Sequence, residues 1–209
     1  MTRSIALAVL FCSLLPSLAA AQSRVIDGAL PVVTSVSSTV VEATPRPDRA
    51  ALRAMLAERR RAHLAELRRY VRQGDFPVNG YQEGMLNVFV DESGHLCAVA
   101  NLMAFDGRID MVRATAASTN FVVLRDVREG PLHDWILSSG FTQEEIGMIQ
   151  EPYFFQEQLS SQQEMRRRLE EEKARIRGVL RAVIHRLEEA ERASLDLAVD
   201  RLVAAGAVS

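Results

Sequence analysis

The sequence contains few cysteines, and this shortage limits what can stabilise the fold. Two cysteines, Cys12 and Cys97, occur among 209 residues. Cys12 lies in an apolar N-terminal segment of the kind that is removed during export, which would leave Cys97 as the single thiol. One thiol cannot form an intramolecular disulfide, so the fold must be stabilised by its core. In an oxidising compartment Cys97 should be buried, bonded to another molecule, or reactive.

The sequence also lacks an excess of charge of one sign. Its 25 lysines and arginines are balanced by 27 aspartates and glutamates, which gives a net charge of -2. Arginines do cluster at 59–61 and 166–168, but acidic residues at 170–172 follow the second cluster. Nucleic-acid-binding proteins usually carry a basic patch that is not neutralised locally. We therefore expect no nucleic-acid partner.

Residues 1–21 have the features of a cleavable signal peptide. Arg3 supplies the positive N-terminal charge, and residues 5–15 form an apolar run. Pro16 ends this run, and the alanines at 19–21 match the small residues of a cleavage site. The alternative is an uncleaved membrane anchor, because a segment of roughly 18 uncharged residues is just long enough to span a bilayer. The proline and the alanines favour cleavage, so we predict a periplasmic or secreted protein without a membrane span.

The rest of the sequence divides into three parts. Residues 22–47 are rich in Val, Ser, Thr and Pro, lack helical periodicity and are predicted to be a flexible linker. Residues 48–155 predict a helical α+β domain, and residues 156–205 predict one long C-terminal amphipathic helix. Its apolar positions alternate at intervals of three and four, and they include Leu169, Ile176, Leu180, Val183, Leu187, Ala190 and Leu197.

The apolar face of this C-terminal helix must be covered. Either it packs on the first helix of the domain, or it pairs with a second copy of the chain. The seam is irregular, whereas long homodimeric coiled coils usually keep strict heptads. The pattern therefore favours packing within one chain and leaves self-association open.

Terminal signals define most helices of the domain. Asp48 opens a helical pattern that runs to Gln73, and Gly74 is a typical stop. Thr142 and Glu145 have the spacing of a capping box. The predicted helices are 48–73, 96–105, 109–118, 131–139 and 142–150. The residues expected in the core are Trp135, Ile136, Ile146 and Ile149, and a histidine on the first apolar face, His63, is interpreted as a packing residue.

Two short strands, 86–90 and 120–124, are predicted from apolar runs bounded by turn residues. The segment 96–105 could be the second strand of a hairpin, but Val99 is its one β-branched residue and its apolar residues share a helical face. We therefore predict a helix there. The expected fold class is α+β and predominantly helical, with a small two-strand element, packed helices and the long C-terminal helix.

Cys97 is the strongest candidate for catalysis. A helix that began at residue 93 or 94 would place it in the first turn, where backbone N–H groups and the helix dipole favour a thiolate. His95 or His133 could then act as the base. However, the sequence neighbours of Cys97 are apolar, and burial raises the pKa of a thiol. A structural thiol is the favoured interpretation.

Metal and cofactor sites are not expected. His95 and Cys97 could supply two metal ligands, but the paired spacings of zinc sites do not occur. The sequence also contains no phosphate-binding loop, dinucleotide fingerprint or nucleophile elbow.

One part of the sequence resembles a known group of proteins. The run 89–102, with Phe76-Pro77 before it and Trp135 and Ile149-Gln150 after it, is similar to a group of exported bacterial proteins of unknown function. The similarity covers roughly residues 50–155. It implies an architecture and no activity.

The sequence shows no convincing catalytic constellation, whereas a long amphipathic helix is typical of proteins that support protein contacts. We therefore predict an exported, non-catalytic interaction or scaffold protein, which binds a protein partner or associates with itself through the C-terminal helix. The alternative is a thiol-dependent enzyme with Cys97 as the nucleophile.

Overall fold

A computed structural model gives the structure of residues 48–156 and 161–206. The predicted signal peptide and linker lie outside the described residues. In chain order the elements are α1 (Arg49–Gln73), β1 (Met85–Leu86), α2 (Ala98–Phe105), α3 (Ile109–Thr119), a short 3-10 turn (Leu124–Asp126), α4 (Gly130–Ser138), α5 (Gln143–Ile149), β2 (Tyr153–Phe154), α6 (Gln162–Glu189) and α7 (Glu191–Ala204). The predicted α+β, predominantly helical fold class is confirmed.

Helix α1 is central to the packing. Asp48 caps its N-terminus by accepting hydrogen bonds from the backbone N–H groups of Ala50 and Ala51 at 2.9 and 3.1 Å. Gly74 ends the helix with a φ of 73°, a conformation that favours glycine. Both predicted boundaries are confirmed. Helices α2, α6 and α7 all pack against α1.

The apolar core consists of two clusters. The larger joins α1, α2, α5 and α6 through residues such as Leu64, Leu67, Val99, Met103, Ile146, Ile149, Ile176, Leu180 and Leu187. The smaller joins α1, α4 and α7 through Leu56, Leu137, Leu195, Ala198, Val199 and Leu202. The predicted core residues of α4 and α5 are all buried. Because the C-terminal helices supply part of both clusters, they belong to the same core as residues 48–155.

The predicted continuous course of the C-terminal helix is wrong. Helix α6 ends at Glu189, and α7 begins at Glu191. The break shifts the buried face, so Leu197, which continued the predicted pattern, is 41% exposed. Neither proline nor glycine stands at the break, and the sequence therefore gave no local signal for it. The apolar face of α6 is covered within the chain, as the sequence pattern favoured. None of the described helices is both long and apolar enough to cross a bilayer.

The two-strand element exists, but neither strand has its predicted bounds. The strand predicted at 86–90 is Met85–Leu86, and the other was predicted in the wrong place. Strand β1 pairs in antiparallel fashion with β2, with Met85 opposite Phe154 and Leu86 opposite Tyr153. The segment 120–124 is not a strand.

The side chain of Asn120 explains the difference. Its Oδ1 accepts a hydrogen bond from Val90 N, and its Nδ2 donates to Val90 O, both at 2.9 Å. The backbone of Phe89 also donates to the carbonyl of Asn120 at 2.9 Å. A side-chain amide thus satisfies the polar groups that a strand partner would satisfy, and the chain then turns into the 3-10 turn.

Candidate functional site

Cys97 is a buried cap residue. Helix α2 begins at Ala98, later than predicted, and Cys97 is its N-cap, with Sγ accepting from Ala100 N at 3.3 Å. The Cys97 side chain is 1% exposed. Burial raises the pKa of the Cys97 thiol to about 12, although the backbone N–H groups of α2 lower it. The group is therefore a protonated thiol at neutral pH, within the larger core cluster.

The later start of α2 follows from the turn before it. The buried carboxylate of Asp91 accepts from the backbone N–H groups of Ser93 and His95 at 2.9 and 2.8 Å, and from Val78 N at 3.1 Å. These bonds fix residues 91–95 as a turn. Leu96 then forms an antiparallel bridge with Val90, and Cys97 N donates to Phe89 O, so the chain stays extended up to Cys97 and the helix begins at Ala98.

The candidate bases do not form a hydrogen-bonded set with Cys97. His95 Nδ1 lies 2.9 Å from Asp91 Oδ2, in the turn. His133 lies on α4 and is half-buried. Within the described residues, neither imidazole is hydrogen-bonded to the Cys97 thiol. The same residues contain no group of three or more His, Cys, Asp or Glu side chains placed to hold a metal ion.

His63 is the most connected histidine, and the sequence did not predict its partners. Its Nε2 lies 2.9 Å from Asp106 Oδ1, and its Nδ1 lies 2.9 Å from Ser139 O. Trp135 Nε1 donates to the second carboxylate oxygen of Asp106 at 2.8 Å. Burial by itself would raise the pKa of Asp106, but the hydrogen bonds from His63 and Trp135 outweigh it and lower that pKa.

The cluster around His63 positions helices. The imidazole is buried and stacks on Phe141, with ring centroids 5.9 Å apart. It joins α1 to the end of α2 through Asp106 and to the end of α4 through Ser139. No thiol or hydroxyl is hydrogen-bonded to His63 among the described residues, so the cluster offers no activated nucleophile.

A second buried polar cluster surrounds Arg60, which the sequence placed in an arginine run. The Arg60 guanidinium donates to both carboxylate oxygens of Glu145, at 2.7 and 2.9 Å, and to the carbonyl oxygens of Gly140 and Leu187. Ser194 Oγ donates to Glu145 Oε1 at 2.8 Å. Glu145 also completes the predicted capping box with Thr142, which is confirmed. The Arg60–Glu145 ion pair and its hydrogen bonds to Leu187 and Ser194 thus join α1, α5, α6 and α7.

Two exposed apolar residues lie together on the small sheet. Met85 and Phe154 lie opposite each other on the two strands, and each is 44% exposed. Side chains alternate along an extended chain, so Asn87 and Pro152 continue the same face. We call these four residues the ribbon face.

A cavity of about 250 Å³ adjoins the ribbon face, between it, the 3-10 turn and α5. Its lining residues are Asn87, Val123, Arg125, Gly147, Gln150 and Pro152. The Oδ1 atom of Asn87 is closed off from solvent and has no hydrogen-bond partner in the described part of the chain. No carboxylate of residues 48–156 and 161–206 lies within ion-pair distance of Arg125.

A larger recess of about 540 Å³ lies between Phe154 and α6, and its arginines are already paired. Arg167 bonds Glu171 at 2.8 Å, and Arg175 bonds Glu172 at 2.7 Å. The cavity beside the ribbon face differs from this recess in that Arg125, the arginine that lines it, is exposed and forms no ion pair within the described residues.

No family model matches the chain, and comparisons with curated proteins and with solved structures gave no match.

Proposed function

We propose that this is an exported, non-catalytic protein that binds a protein partner through the ribbon face, in the periplasm or outside the cell. The observation that carries the proposal is the exposed pair Met85 and Phe154, which lie opposite each other on the two strands. Large apolar side chains grouped at a surface are typical of protein interaction sites. Export rests on the signal-peptide features of residues 1–21.

The buried polar clusters also support a scaffold role. The Arg60, His63 and Asp91 clusters each fasten separate segments to one another through buried hydrogen bonds. A surface built on such a framework needs little ordering when it binds, which favours affinity. The apolar face of α6 is used within the core, so a partner at the ribbon face is preferred over self-association through the C-terminal helices.

Site-specific photo-crosslinking in cells tests this proposal. A benzophenone amino acid in place of Met85 should give a discrete covalent adduct in the envelope fraction. The matched control is the same probe in place of Leu197 on α7, which is similarly exposed. Equal adducts at both positions, or none at Met85, would contradict the proposed surface. An intact precursor that remains in the cytosol would contradict export.

The thiol-dependent enzyme remains the competing hypothesis, and the burial of Cys97 counts against it. We expect a maleimide to leave Cys97 unmodified in the native protein and to modify it after denaturation, because the protonated thiol lies within the core. Mass spectrometry of the Cys97-containing peptide measures this. A Ser118→Cys variant, with an exposed thiol on α3, is the control and should react in the native state. Native Cys97 reacting as fast as that control would revive the enzyme hypothesis.

A further inference from the structure

Both ring nitrogens of His63 face oxygen atoms that can only accept hydrogen bonds. Nδ1 lies 2.9 Å from the carbonyl oxygen of Ser139, and Nε2 lies 2.9 Å from Asp106 Oδ1. Asp106 is ionised at neutral pH, because its side chain is 28% exposed and also accepts a hydrogen bond from the Trp135 indole. A neutral imidazole carries one N–H and can bond only one of these oxygens, whereas an imidazolium bonds both.

We propose that His63 is a pH-sensitive switch. As an imidazolium it bonds Ser139 and Asp106 at the same time, and so joins α1 to the end of α4 and to the end of α2. When the pH rises and the ring loses one proton, it keeps the bond to Ser139 and releases Asp106. Histidine suits this role, because an imidazole in water changes its charge at about pH 6.5.

Burial decides which of the two bonds survives. Ser139 is 1% exposed, so water cannot replace a donor that its carbonyl loses, and an unsatisfied buried acceptor costs about 1–3 kcal/mol. The Asp106 carboxylate reaches water and keeps its bond from Trp135. The remaining proton therefore stays on Nδ1. Nε2 is then a lone pair that faces a carboxylate oxygen, and the two repel each other.

Asp106 is the counter-ion of His63. Arg59, on α1, lies close enough to Asp106 to stabilise its charge. The rings that pack against the imidazole from α2, α4 and the turn after α4 are uncharged, and they are Phe105, Trp135 and Phe141. Other charged groups on the packed elements are paired with one another, and they are Glu66 with Arg69, both on α1, and Arg60 of α1 with Glu145 of α5. Three further groups form no hydrogen bond with His63 or Asp106 within the described residues, and they are Arg108, His133 and Asp134.

The switch opens one connection and leaves the fold in place. The turn after α2 keeps its own backbone bonds, since Asp106 N donates to Leu102 O at 3.1 Å and Arg108 N donates to Met103 O at 2.9 Å. What changes is the side-chain connection between α1 and this turn. Trp135 donates to the same carboxylate, and its ring centroid lies 5.9 Å from that of His63, so its fluorescence reports the change.

Nitrogen NMR of the full chain, with isotope-labelled histidine, tests the proposal without any substitution. We expect His63 to carry a proton on both ring nitrogens at about pH 5 and on Nδ1 alone at about pH 9. The fluorescence of Trp135, the single tryptophan, should change over the same pH range and with the same midpoint.

Asp106→Asn is the variant that isolates the switch. Its amide oxygen still accepts from Trp135, and its amide nitrogen donates to Nε2 of a neutral imidazole, so both bonds persist without the second proton. Because the counter-charge is lost, His63 should release that proton at a pH at least about one unit lower, which is a tenfold weaker hold on the proton. The fluorescence change should move with it. The matched control is His133→Gln, two positions from Trp135 on α4, which should leave the titration of His63 unchanged.

Several results would overturn the switch. They are a His63 ring with a single proton at about pH 5, a ring that keeps both protons at about pH 9, and a neutral ring with its proton on Nε2. A proton released at the same pH in Asp106→Asn as in the unmodified chain would also contradict it. Finally, His63→Gln should abolish the fluorescence change, and a change that persists in the folded variant would assign the titration to another group.

Discussion

Glu145→Gln is expected to lower the free energy of unfolding by about 3–5 kcal/mol, because it leaves a buried cation without its counter-charge. Arg60 is 0% exposed, and its guanidinium donates to both carboxylate oxygens of Glu145. The glutamine amide would direct N–H groups at Arg60 and at either Ser194 or Thr142, all of which donate to the carboxylate now. The measurement is urea unfolding followed by the fluorescence of the single tryptophan, Trp135.

The neighbouring residue provides a matched control. Glu144 also pairs with an arginine through both oxygens, but its partner Arg201 and its own side chain are partly exposed to water. Glu144→Gln should therefore change the free energy of unfolding by about 1 kcal/mol or less. Arg60→Met combined with Glu145→Gln should recover part of the loss, since no charge is then buried alone. Equal effects at positions 144 and 145 would show that burial of the pair does not matter.

The helix boundaries that could be predicted from the sequence are those that local interactions determine. The boundaries of α1 follow from the Asp48 cap and the Gly74 stop, and the start of α5 follows from a capping box within four residues. Each of these signals acts between residues that are close in the chain, so a single sequence contains them. The break at Ala190 has no such local signal and was missed.

The polar clusters and the ribbon face depend on contacts between distant residues. Arg60 and Glu145 are 85 positions apart, and His63 and Asp106 are 43 apart. The pairing of β1 with β2 likewise joins segments separated by most of the domain. In the sequence, Arg60 is one of three consecutive arginines, and only the folded chain shows which of them faces the core. The candidate site could not be predicted for the same reason.

Gly140→Ala is expected to have the other large effect, and should lower the free energy of unfolding by about 3 kcal/mol or more. Gly140 follows α4 with a φ of 85°, where an L-residue with a Cβ costs about 1–2 kcal/mol. An added Cβ would also overlap the carbonyl oxygen of Leu56 and lie 2.8 Å from Arg60 N, both in the backbone of α1. Overpacking against a backbone that cannot yield adds about 1–3 kcal/mol.

Gly107→Ala separates these two costs. Gly107 has a φ of 75°, but a Cβ there would meet nothing within 4 Å. Gly107→Ala should therefore lower the free energy of unfolding only by the conformational cost, which is about 1–2 kcal/mol. Thermal and urea unfolding of the two variants measure the difference between their losses in unfolding free energy. This difference reports how closely the turn after α4 packs against α1. A difference near zero would mean that α1 moves aside at no cost. Arg60 lies on the turn of α1 that the added Cβ would overlap. Its bonds to Glu145 and to the carbonyl of Leu187 would then not hold α1 in place.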